Sequence, residues 1–196
     1  MSKIGAVILA GGQSSRMRKD KVFLTLDGKT FLDHIVEQLS GFEEILLSVD
    51  SADKYDCKNL ERVTDMYPNC GPISGLYSAL RSCRSDYLLV LCCDIPLFTK
   101  DLAQYMSTFV DDYHDAFVLI TREKYVLPLC AIYKKQAADI LETQIKNGIN
   151  RPLHALEKMR VRHIPLCDSV FEDDTVRGVN TPDEYAALLQ RDPNKH

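Results

Sequence analysis

Short, almost continuously apolar runs alternate along this chain with segments of helical periodicity. Three runs, at 4–9, 44–49 and 87–93, have the length of buried strands. Between them, 31–39 places apolar residues at helical spacing, and 72–83 follows a Gly-Pro step. Strands that are apolar on both faces belong to parallel sheets covered by helices on both sides. The alternation therefore predicts an α/β protein with three layers, α/β/α, around a mostly parallel central sheet.

The second half of the chain extends this pattern. It predicts strands over 116–121, 126–133 and 161–166, and helices over 100–110, 134–146 and 151–159. Thr99 is placed to cap the first of these helices, and Asn147-Gly148 to end the second. A last helix opens at Thr181-Pro182 and ends near residue 191. No repeat, linker or low-complexity segment interrupts the 196 residues, so we predict a single domain over 1–196.

Composition and charge narrow the class of protein. A net charge of −4 gives no general reason to expect binding to nucleic acid or to a membrane. Seven cysteines form no C-x-x-C pair, so we expect neither a disulfide scaffold nor a zinc site. The N-terminal apolar run passes directly into glycines and basic residues, unlike a signal peptide, and no run approaches the ~18 residues of a membrane span. We therefore expect a cytoplasmic protein.

A glycine turn with hydroxyls and cations follows the first predicted strand, at 9–21. Gly11 and Gly12 allow backbone N–H groups to approach an anion closely. Arg16 and Lys21 are placed to neutralise phosphate oxygens. The segment is thus a candidate phosphate-binding loop, and the alternative is a solvated basic turn without a ligand.

Two common nucleotide-binding motifs do not account for this segment. Gly28-Lys29-Thr30 resembles the end of a P-loop, but position 23 is Phe where that motif requires glycine. We interpret Asp27-Gly28 as a hairpin or loop turn instead. No G-x-G-x-x-G follows any predicted strand, so a dinucleotide-binding motif is not indicated.

Two aspartates mark the ends of other apolar stretches. Asp94 follows the run at 87–93, where a parallel sheet presents ligands to a bound group, and one or two carboxylates with phosphate oxygens suit Mg²⁺. Asp65 ends a short apolar stretch, and the Gly71-Pro72 step directs a helix N-terminus towards the same place. For each aspartate, a role in an ordinary turn is the alternative.

Five motifs in a fixed order give these places a common interpretation. They are LAGG-x-S-x-R-M-x-x-D-K near the N-terminus, an Asp before G-P-x-x-G-L, C-D-x-P, P-L-x-A-x-Y and N-T-P-D-E-Y. Over nearly its whole length, the chain resembles the molybdenum cofactor guanylyltransferases, the MobA-like nucleotidyltransferases. The resemblance implies a Rossmann-like three-layer nucleotidyltransferase fold. It also implies Mg²⁺-dependent transfer of GMP from GTP to molybdopterin, with release of pyrophosphate.

The resemblance also implies roles for individual residues. The nucleotide-binding positions would be Leu9, Ala10, Gly11, Gly12, Lys21, Asp50, Asp65 and Asp94. Asp94 would also bind Mg²⁺, and Arg16 and Lys21 would act with it in catalysis by neutralising phosphate charge. Asn180 matches the last asparagine of the family's N-x-N-T-P signature and would contact the acceptor, unless it caps the helix or makes a local hydrogen bond. Arg151 is the basic residue that we assign to the acceptor phosphate.

Three positions depart from the family pattern. Arg18 stands where glycine is usual, Asp50 aligns with a base-contacting asparagine, and Gly178 replaces the first asparagine of N-x-N. A carboxylate at position 50 accepts from guanine N1–H and N2–H₂, although it also repels a triphosphate.

The departures leave two alternatives open beside the GTP and molybdopterin activity. One is a related enzyme that uses CTP or a sugar or alditol phosphate acceptor, and the other is a weakly active nucleotide-binding regulatory protein. For the leading interpretation we also expect transient contact with cofactor-synthesis or acceptor enzymes.

Overall fold

The computed structural model describes residues 3–11, 20–51, 55 and 60–191. These residues form strands β1 (Ile4–Leu9), β2 (Thr25–Leu26), β3 (Lys29–Thr30), β4 (Ile45–Val49), β5 (Glu61–Thr64), β6 (Tyr87–Cys92), β7 (Ala116–Ile120), β8 (Val126–Lys134) and β9 (Val161–Pro165). They also form helices α1 (Phe31–Gln38), α2 (Pro72–Ser82), α3 (Lys100–Ser107), α4 (Ala137–Lys146), α5 (Pro152–Leu156) and α6 (Pro182–Leu189). Gly12, Arg16 and Arg18 lie outside the described residues.

Seven strands form the central sheet, in the order β5-β4-β1-β6-β8-β7-β9. Strand β8 runs antiparallel to β6 and β7, and the other neighbouring pairs are parallel. The prediction of a mostly parallel sheet is confirmed. The direction of β8 follows from its short connection to β7, because a tight turn reverses the chain whereas a parallel neighbour requires a long crossover.

Helices cover both faces of this sheet. Successive residues of a strand point to opposite faces, and Val7 and Ile8 accordingly belong to two different apolar clusters. The cluster that contains Ile8 also contains buried residues of α1 and α3, whereas the cluster that contains Val7 contains those of α2, α4 and α5. The central strands β1 and β6 are almost entirely buried, as their continuous apolar runs require. The three-layer α/β/α prediction is therefore confirmed.

Local turn and cap predictions agree with the structure. Asp27 and Gly28 both have positive φ, 49° and 82°, in the two-residue turn between β2 and β3, which is the conformation of a type I′ hairpin. Thr99 and Thr181 cap α3 and α6 through their side chains. Gly148, with φ of 76°, follows the end of α4.

Several element boundaries differ from the sequence prediction by one to three residues, and one strand of the central sheet was not predicted. The helix predicted from residue 134 begins at Ala137, because β8 continues to Lys134, which pairs with Tyr87 of β6. Strand β5 was not predicted, because only Val63 of its four residues is buried and its edge position permits polar side chains. None of the helices in the described residues has the length and apolar character required to cross a membrane.

Candidate functional site: a cleft at the carboxyl ends of β1, β4 and β6

A cleft of about 550 Å³ opens where β1, β4 and β6 end. Strand β1 lies between β4 and β6, and the chain leaves it on one side for α1 and β4 and returns on the other through α2 to β6. This reversal is a topological switch point, the place where open α/β sheets bind ligands. The sheet topology thus brings together residues that follow different strands.

Lys21, Asp94 and Asn180 meet at this cleft. The Nζ of Lys21 donates hydrogen bonds to Asp94 Oδ2 at 2.8 Å and to Asn180 Oδ1 at 2.6 Å. The side chains of Lys21 and Asp94 are only 15% and 18% exposed. The backbone N–H of Val179 donates to the Asp94 carbonyl oxygen at 2.8 Å, which fixes the segment before α6 against the end of β6.

The environment of Asn180 excludes the alternative that this residue caps α6. The hydroxyl of Thr181 accepts from the backbone N–H of Glu184, so Thr181 is the residue that caps α6. The Asn180 amide oxygen instead accepts from Lys21, 159 positions away in the chain. Its side chain therefore contacts a residue that lines the cleft and does not cap the helix.

The carboxyl end of β1 supplies backbone to the cleft. Leu9, Ala10 and Gly11, which the resemblance assigns to nucleotide binding, all line it. A Cβ atom on Gly11 would lie 3.2 Å from the backbone nitrogen of Asp50, so glycine permits the close approach of β1 and β4 there. Asp50 follows β4 directly, lines the cleft and is exposed.

Asp65 is a carboxylic acid of the cleft whose pKa is shifted by its surroundings. Burial, and then the charge of Asp50, raise the pKa of the Asp65 carboxyl to about 6. Its Oδ1 is buried and has no hydrogen-bond partner within the described part of the chain. A buried carboxylate oxygen of this kind is stabilised when a ligand donates to it.

Helix α2 holds the Asp65 turn in place. The hydroxyls of Ser78 and Ser74 accept from the backbone N–H groups of Met66 and Tyr67, at 2.8 and 3.1 Å. A Cβ on Gly75 would meet Ser48 Oγ at 2.6 Å and Asp65 Oδ1 at 3.4 Å. The glycine therefore lets α2 approach β4 and the carboxylate closely.

Several cleft residues were not predicted individually. They are Asp20, Ser48, Asn69, Gly71, Pro72, Gly75, Cys92, Cys93 and Leu129. Six of them lie within motifs quoted from the sequence, which was the available signal, whereas Ser48, Asn69 and Cys92 lie outside those motifs. Among the described residues, Arg151 is exposed at the start of α5 and is not one that lines the cleft.

Gly178 adjoins the Lys21, Asp94 and Asn180 cluster. A Cβ at this position would lie 3.2 Å from Asn180 Nδ2 and 3.5 Å from Asp94 Oδ1. Glycine therefore leaves room beside the Asp94 carboxylate, on the side away from Lys21. This places the departure from the N-x-N pattern directly against the predicted metal ligand.

A switch-point cleft with a lysine and aspartates at strand ends defines a class, that of α/β proteins that bind a phosphorylated ligand. Comparison with known proteins is more specific, because the model of the MobA-like NTP transferase domain matches residues 6–161. The chain belongs to this family of nucleotidyltransferases.

Full-length relatives and a solved structure agree with this assignment. A protein of Clostridium perfringens named "Probable molybdenum cofactor guanylyltransferase" is 35% identical, over 97% of this chain and 98% of its own. A protein of Carboxydothermus hydrogenoformans with the same name is 30% identical, over 97% of both chains. The crystal structure of molybdopterin-guanine dinucleotide biosynthesis protein A from Archaeoglobus fulgidus superposes with a TM-score of 0.78 at 24% identity, over 94% of this chain and 96% of that one. At this identity the superposition shows the shared fold.

Proposed function

We propose that this nucleotidyltransferase joins the GMP moiety of GTP to the terminal phosphate of molybdopterin, which yields the guanine dinucleotide cofactor and pyrophosphate. The observation that carries the proposal is the position of Lys21, held between Asp94 and Asn180 at the mouth of the cleft. The names of the two relatives support the choice of GTP and molybdopterin over CTP or a sugar or alditol phosphate.

The phosphate groups of GTP would lie beside the end of β1. Backbone groups of Leu9, Ala10 and Gly11 border the cleft there, and Lys21 can exchange its contact with Asp94 for phosphate oxygens. Arg16 and Gly12 complete the phosphate-binding set by their positions in the motif alone, since both lie outside the described residues.

Asp94 fits a single-carboxylate Mg²⁺ site. The described residues contain no group of three or more side chains able to hold a metal, but Mg²⁺ is commonly bound by one or two carboxylates together with substrate phosphates. The Oδ1 side of Asp94 faces the space left by Gly178, which a side chain would narrow. When bound, Mg²⁺ would neutralise negative charge on the phosphate oxygens.

Asp65 and Asp50 are suited to hydrogen-bond donors of the nucleoside. A carboxylate accepts from guanine N1–H and N2–H₂ together, and from ribose hydroxyls. The buried Oδ1 of Asp65 would gain a partner from such a donor, which would favour the ionised carboxylate and lower its raised pKa. GTP affinity should therefore rise with pH between about 5 and 7.

The reaction itself requires little proton transfer. An oxygen of the acceptor phosphate forms a bond to the α-phosphorus while the bond from that phosphorus to the bridging oxygen of pyrophosphate breaks. The attacking phosphate has a second pKa near 6 and is largely ionised at neutral pH, so no general base is needed. Accordingly, no histidine is among the described residues that line the cleft. Lys21, Asn180 and the backbone of β1 would act by orientation and charge neutralisation.

Acceptor binding and cellular context extend the proposal. Asn180 would contact the acceptor beside Lys21, and Arg151, which is exposed directly before α5, would bind the acceptor phosphate. The six cysteines in the described residues are free, which suits a cytoplasmic enzyme. Transfer of the product would involve transient contact with cofactor-synthesis or acceptor enzymes.

A pyrophosphate-release assay tests the activity. Purified protein is incubated with Mg²⁺, molybdopterin and one of GTP, CTP, ATP or UTP, and Asp94→Asn is compared with Asp86→Asn. Asp86 precedes β6 and accepts from the backbone N–H of Lys3, whereas Asp94 follows the same strand at the cleft. We expect release with GTP, a loss of about 10³-fold in kcat/KM for Asp94→Asn and less than a twofold change for Asp86→Asn.

Other outcomes redirect the proposal. Release with CTP but not with GTP would contradict the guanylyl assignment and keep the reaction class. Binding of GTP without any release of pyrophosphate would favour the regulatory alternative. Equal losses in the two aspartate variants would exclude a special role of Asp94.

A further inference from the structure

Tyr55 lies outside every predicted element, yet its hydroxyl joins both ends of the segment 11–19. The hydroxyl lies 3.3 Å from the carbonyl oxygen of Ala10, and it also hydrogen-bonds Asp20 Oδ2. Ala10 and Asp20 lie on either side of residues 11–19 in the motif, and both belong to the part of the chain that the structure describes. One side chain thus contacts two residues that the sequence places on either side of the predicted phosphate-binding segment.

The contact with Asp20 leads directly to Lys21. While Oδ2 of Asp20 is bound by Tyr55, its Oδ1 accepts from the backbone N–H of Val22 at 3.4 Å and caps the short 3₁₀ turn Lys21–Phe23. That turn carries the lysine whose Nζ reaches Asp94 and Asn180. Tyr55, Asp20 and the Lys21 turn therefore form a continuous series of hydrogen bonds and covalent links.

The structure holds Tyr55 itself in an unusual conformation. Its φ is +63°, a region that bulky residues rarely adopt and that persists only where surrounding contacts stabilise it. Arg62 donates to the Tyr55 carbonyl oxygen at 3.1 Å, and the ring of Phe23 packs edge-on against the Tyr55 ring at 5.5 Å between centroids. Strained, well-supported residues of this kind cluster at functional sites.

Tyr55 does not belong to the reacting groups. It is 7% exposed and is not among the described residues that line the cleft. Burial, and then the hydrogen bond and charge of Asp20, raise the pKa of its phenol, so the hydroxyl stays a neutral donor throughout the working pH range. Tyr55 can therefore affect the reaction only through the residues that it contacts.

We propose that Tyr55 is a positioning residue that fixes Asp20 and the Ala10 carbonyl so that Lys21 meets the triphosphate. The inference rests on the proposed function for the role of Lys21. It predicts that loss of the hydroxyl weakens recognition of the β- and γ-phosphates while the rest of the nucleotide binds as before.

Tyr87 provides a matched control. Tyr87 is likewise buried, and its hydroxyl lies within hydrogen-bond distance of a carbonyl oxygen, that of Asp111 at 2.9 Å, and of a carboxylate, that of Asp112 at 3.2 Å. Tyr87 begins β6 and therefore lies at the opposite edge of the sheet. Tyr55→Phe and Tyr87→Phe thus remove the same chemical group from similar surroundings.

Calorimetric titration with GTP and with GMP, in the presence of Mg²⁺, measures the effect. In Tyr55→Phe, we expect the preference for GTP over GMP to fall about tenfold, and in Tyr87→Phe to stay within twofold, although both variants lose thermal stability. In the double variant Tyr55→Phe with Asp20→Ala, the preference should fall no further than in Asp20→Ala alone, because the Tyr55 hydroxyl acts on the Lys21 turn through the Asp20 side chain, which Asp20→Ala removes.

The outcomes separate this inference from the proposed function. An unchanged preference in Tyr55→Phe, or additive losses in the double variant, would overturn the role of Tyr55 even if turnover with molybdopterin is normal. A selective loss in Tyr55→Phe without any turnover of the wild-type protein with molybdopterin would support the role and reject the acceptor. If the wild-type protein binds no triphosphate, both proposals are wrong.

Discussion

Two carboxylates at opposite edges of the central sheet, the edge where β1, β4 and β6 begin and the edge where they end, have different surroundings. At the edge where β1, β4 and β6 begin, the Glu44 carboxylate accepts from the backbone N–H groups of Arg84 and Ser85 and from the Ser85 hydroxyl, at 2.6 to 3.0 Å. At the same edge, Asp115 pairs with Arg160 at 2.7 Å. At the other edge, the Asp65 Oδ1 lacks a partner within the described residues.

This difference indicates which edge of the sheet is able to bind a ligand. A carboxylate that the protein itself satisfies contributes to stability, whereas one that is desolvated without a partner costs stability until a ligand arrives. The edge where the strands begin is therefore structural, and the edge where they end is prepared for a ligand. Matched substitutions at the two edges should consequently separate stability from function.

The largest expected difference is in kcat/KM, between substitutions of two lysines. Lys21→Met should lower kcat/KM for GTP by about 10²–10³-fold, because it removes the cation that meets the leaving pyrophosphate. Lys134→Met removes a lysine of the opposite edge, whose Nζ donates to the Asp112 carbonyl oxygen at 2.7 Å, and should change kcat/KM by less than twofold. Steady-state release of pyrophosphate gives both values.

The comparison of the two lysine variants also distinguishes a catalytic role of Lys21 from a purely structural one. If Lys21 served only to neutralise the half-buried Asp94, Lys21→Met would lower the unfolding temperature and leave the kinetics of the folded fraction unchanged. Thermal unfolding of both variants should therefore accompany the kinetics. That result would contradict the assignment of Lys21 to the phosphates.

Two glycines provide the next contrast. A Cβ on Gly75 would meet Ser48 Oγ at 2.6 Å, and one on Gly5 would meet Ser85 Oγ at 2.7 Å and Glu44 Oε2 at 2.9 Å. Each Gly→Ala substitution should cost about 1–3 kcal/mol of the free energy of unfolding, because neighbouring atoms must shift. Only Gly75→Ala should also weaken GTP binding, by roughly tenfold, because its neighbour is the Asp65 carboxylate.

Urea unfolding and GTP titration of the two alanine variants test this contrast. Equal loss of GTP affinity in Gly5→Ala would show that packing strain spreads through the sheet. The separation of the two edges would then be wrong.

Much of this fold follows from local sequence patterns, and the exceptions have physical causes. The bounds of β1 were predicted correctly, because a continuous apolar run followed by glycine has few other interpretations. Thr99 and Thr181 were recognised as caps from side-chain chemistry. Strand β5 was missed because an edge strand of four residues need bury only one side chain, and its pairing with β4 depends on tertiary structure.

The residues of the candidate site also include some that local sequence patterns predict and others that they do not. Lys21 and Asp94 were recognisable because each follows a strand within a motif, although their contact spans 73 positions of the chain. Tyr55 carries no such pattern, since an isolated tyrosine gives no periodicity and its two hydrogen bonds exist only in the folded protein. The raised pKa of Asp65 likewise depends on burial by α2 and on the position of Asp50, which no spacing of residues specifies.

The smallest expected effect is on the free energy of unfolding, and it compares substitutions of Asp65 and Glu44. This pair tests the difference between the two edges most directly. Burial raises the pKa of the Asp65 carboxyl to about 6, so the folded state loses stability as the pH rises from about 4, the unfolded value, to about 6. Asp65→Asn removes this penalty. It should stabilise the protein by about 1 kcal/mol at pH 8, a value reduced for partial solvent exposure, and by nothing below pH 4.

Glu44→Gln should have the opposite sign. Burial alone would raise the pKa of Glu44, but hydrogen bonds from Ser85 and from the backbone of Arg84 and Ser85 outweigh it and lower the pKa. The stability that this carboxylate contributes is present above its unfolded pKa near 4.3 and is lost as the pH falls through the lower folded pKa. The substitution should therefore cost about 1–2 kcal/mol at pH 8, and its cost should shrink in acid.

Urea unfolding of the wild-type protein and both variants between pH 4 and pH 8 measures the two profiles. Profiles that diverge as the pH rises, with Asp65→Asn above the wild-type protein and Glu44→Gln below it at pH 8, would establish that Asp65 costs stability and that Glu44 contributes it. GTP at saturating concentration should reverse the order for Asp65 alone, because the wild-type carboxylate then has its donor and the asparagine variant binds the nucleotide less tightly. If Asp65→Asn destabilises the ligand-free protein at pH 8, Asp65 already has its partner in the folded chain and is a structural residue.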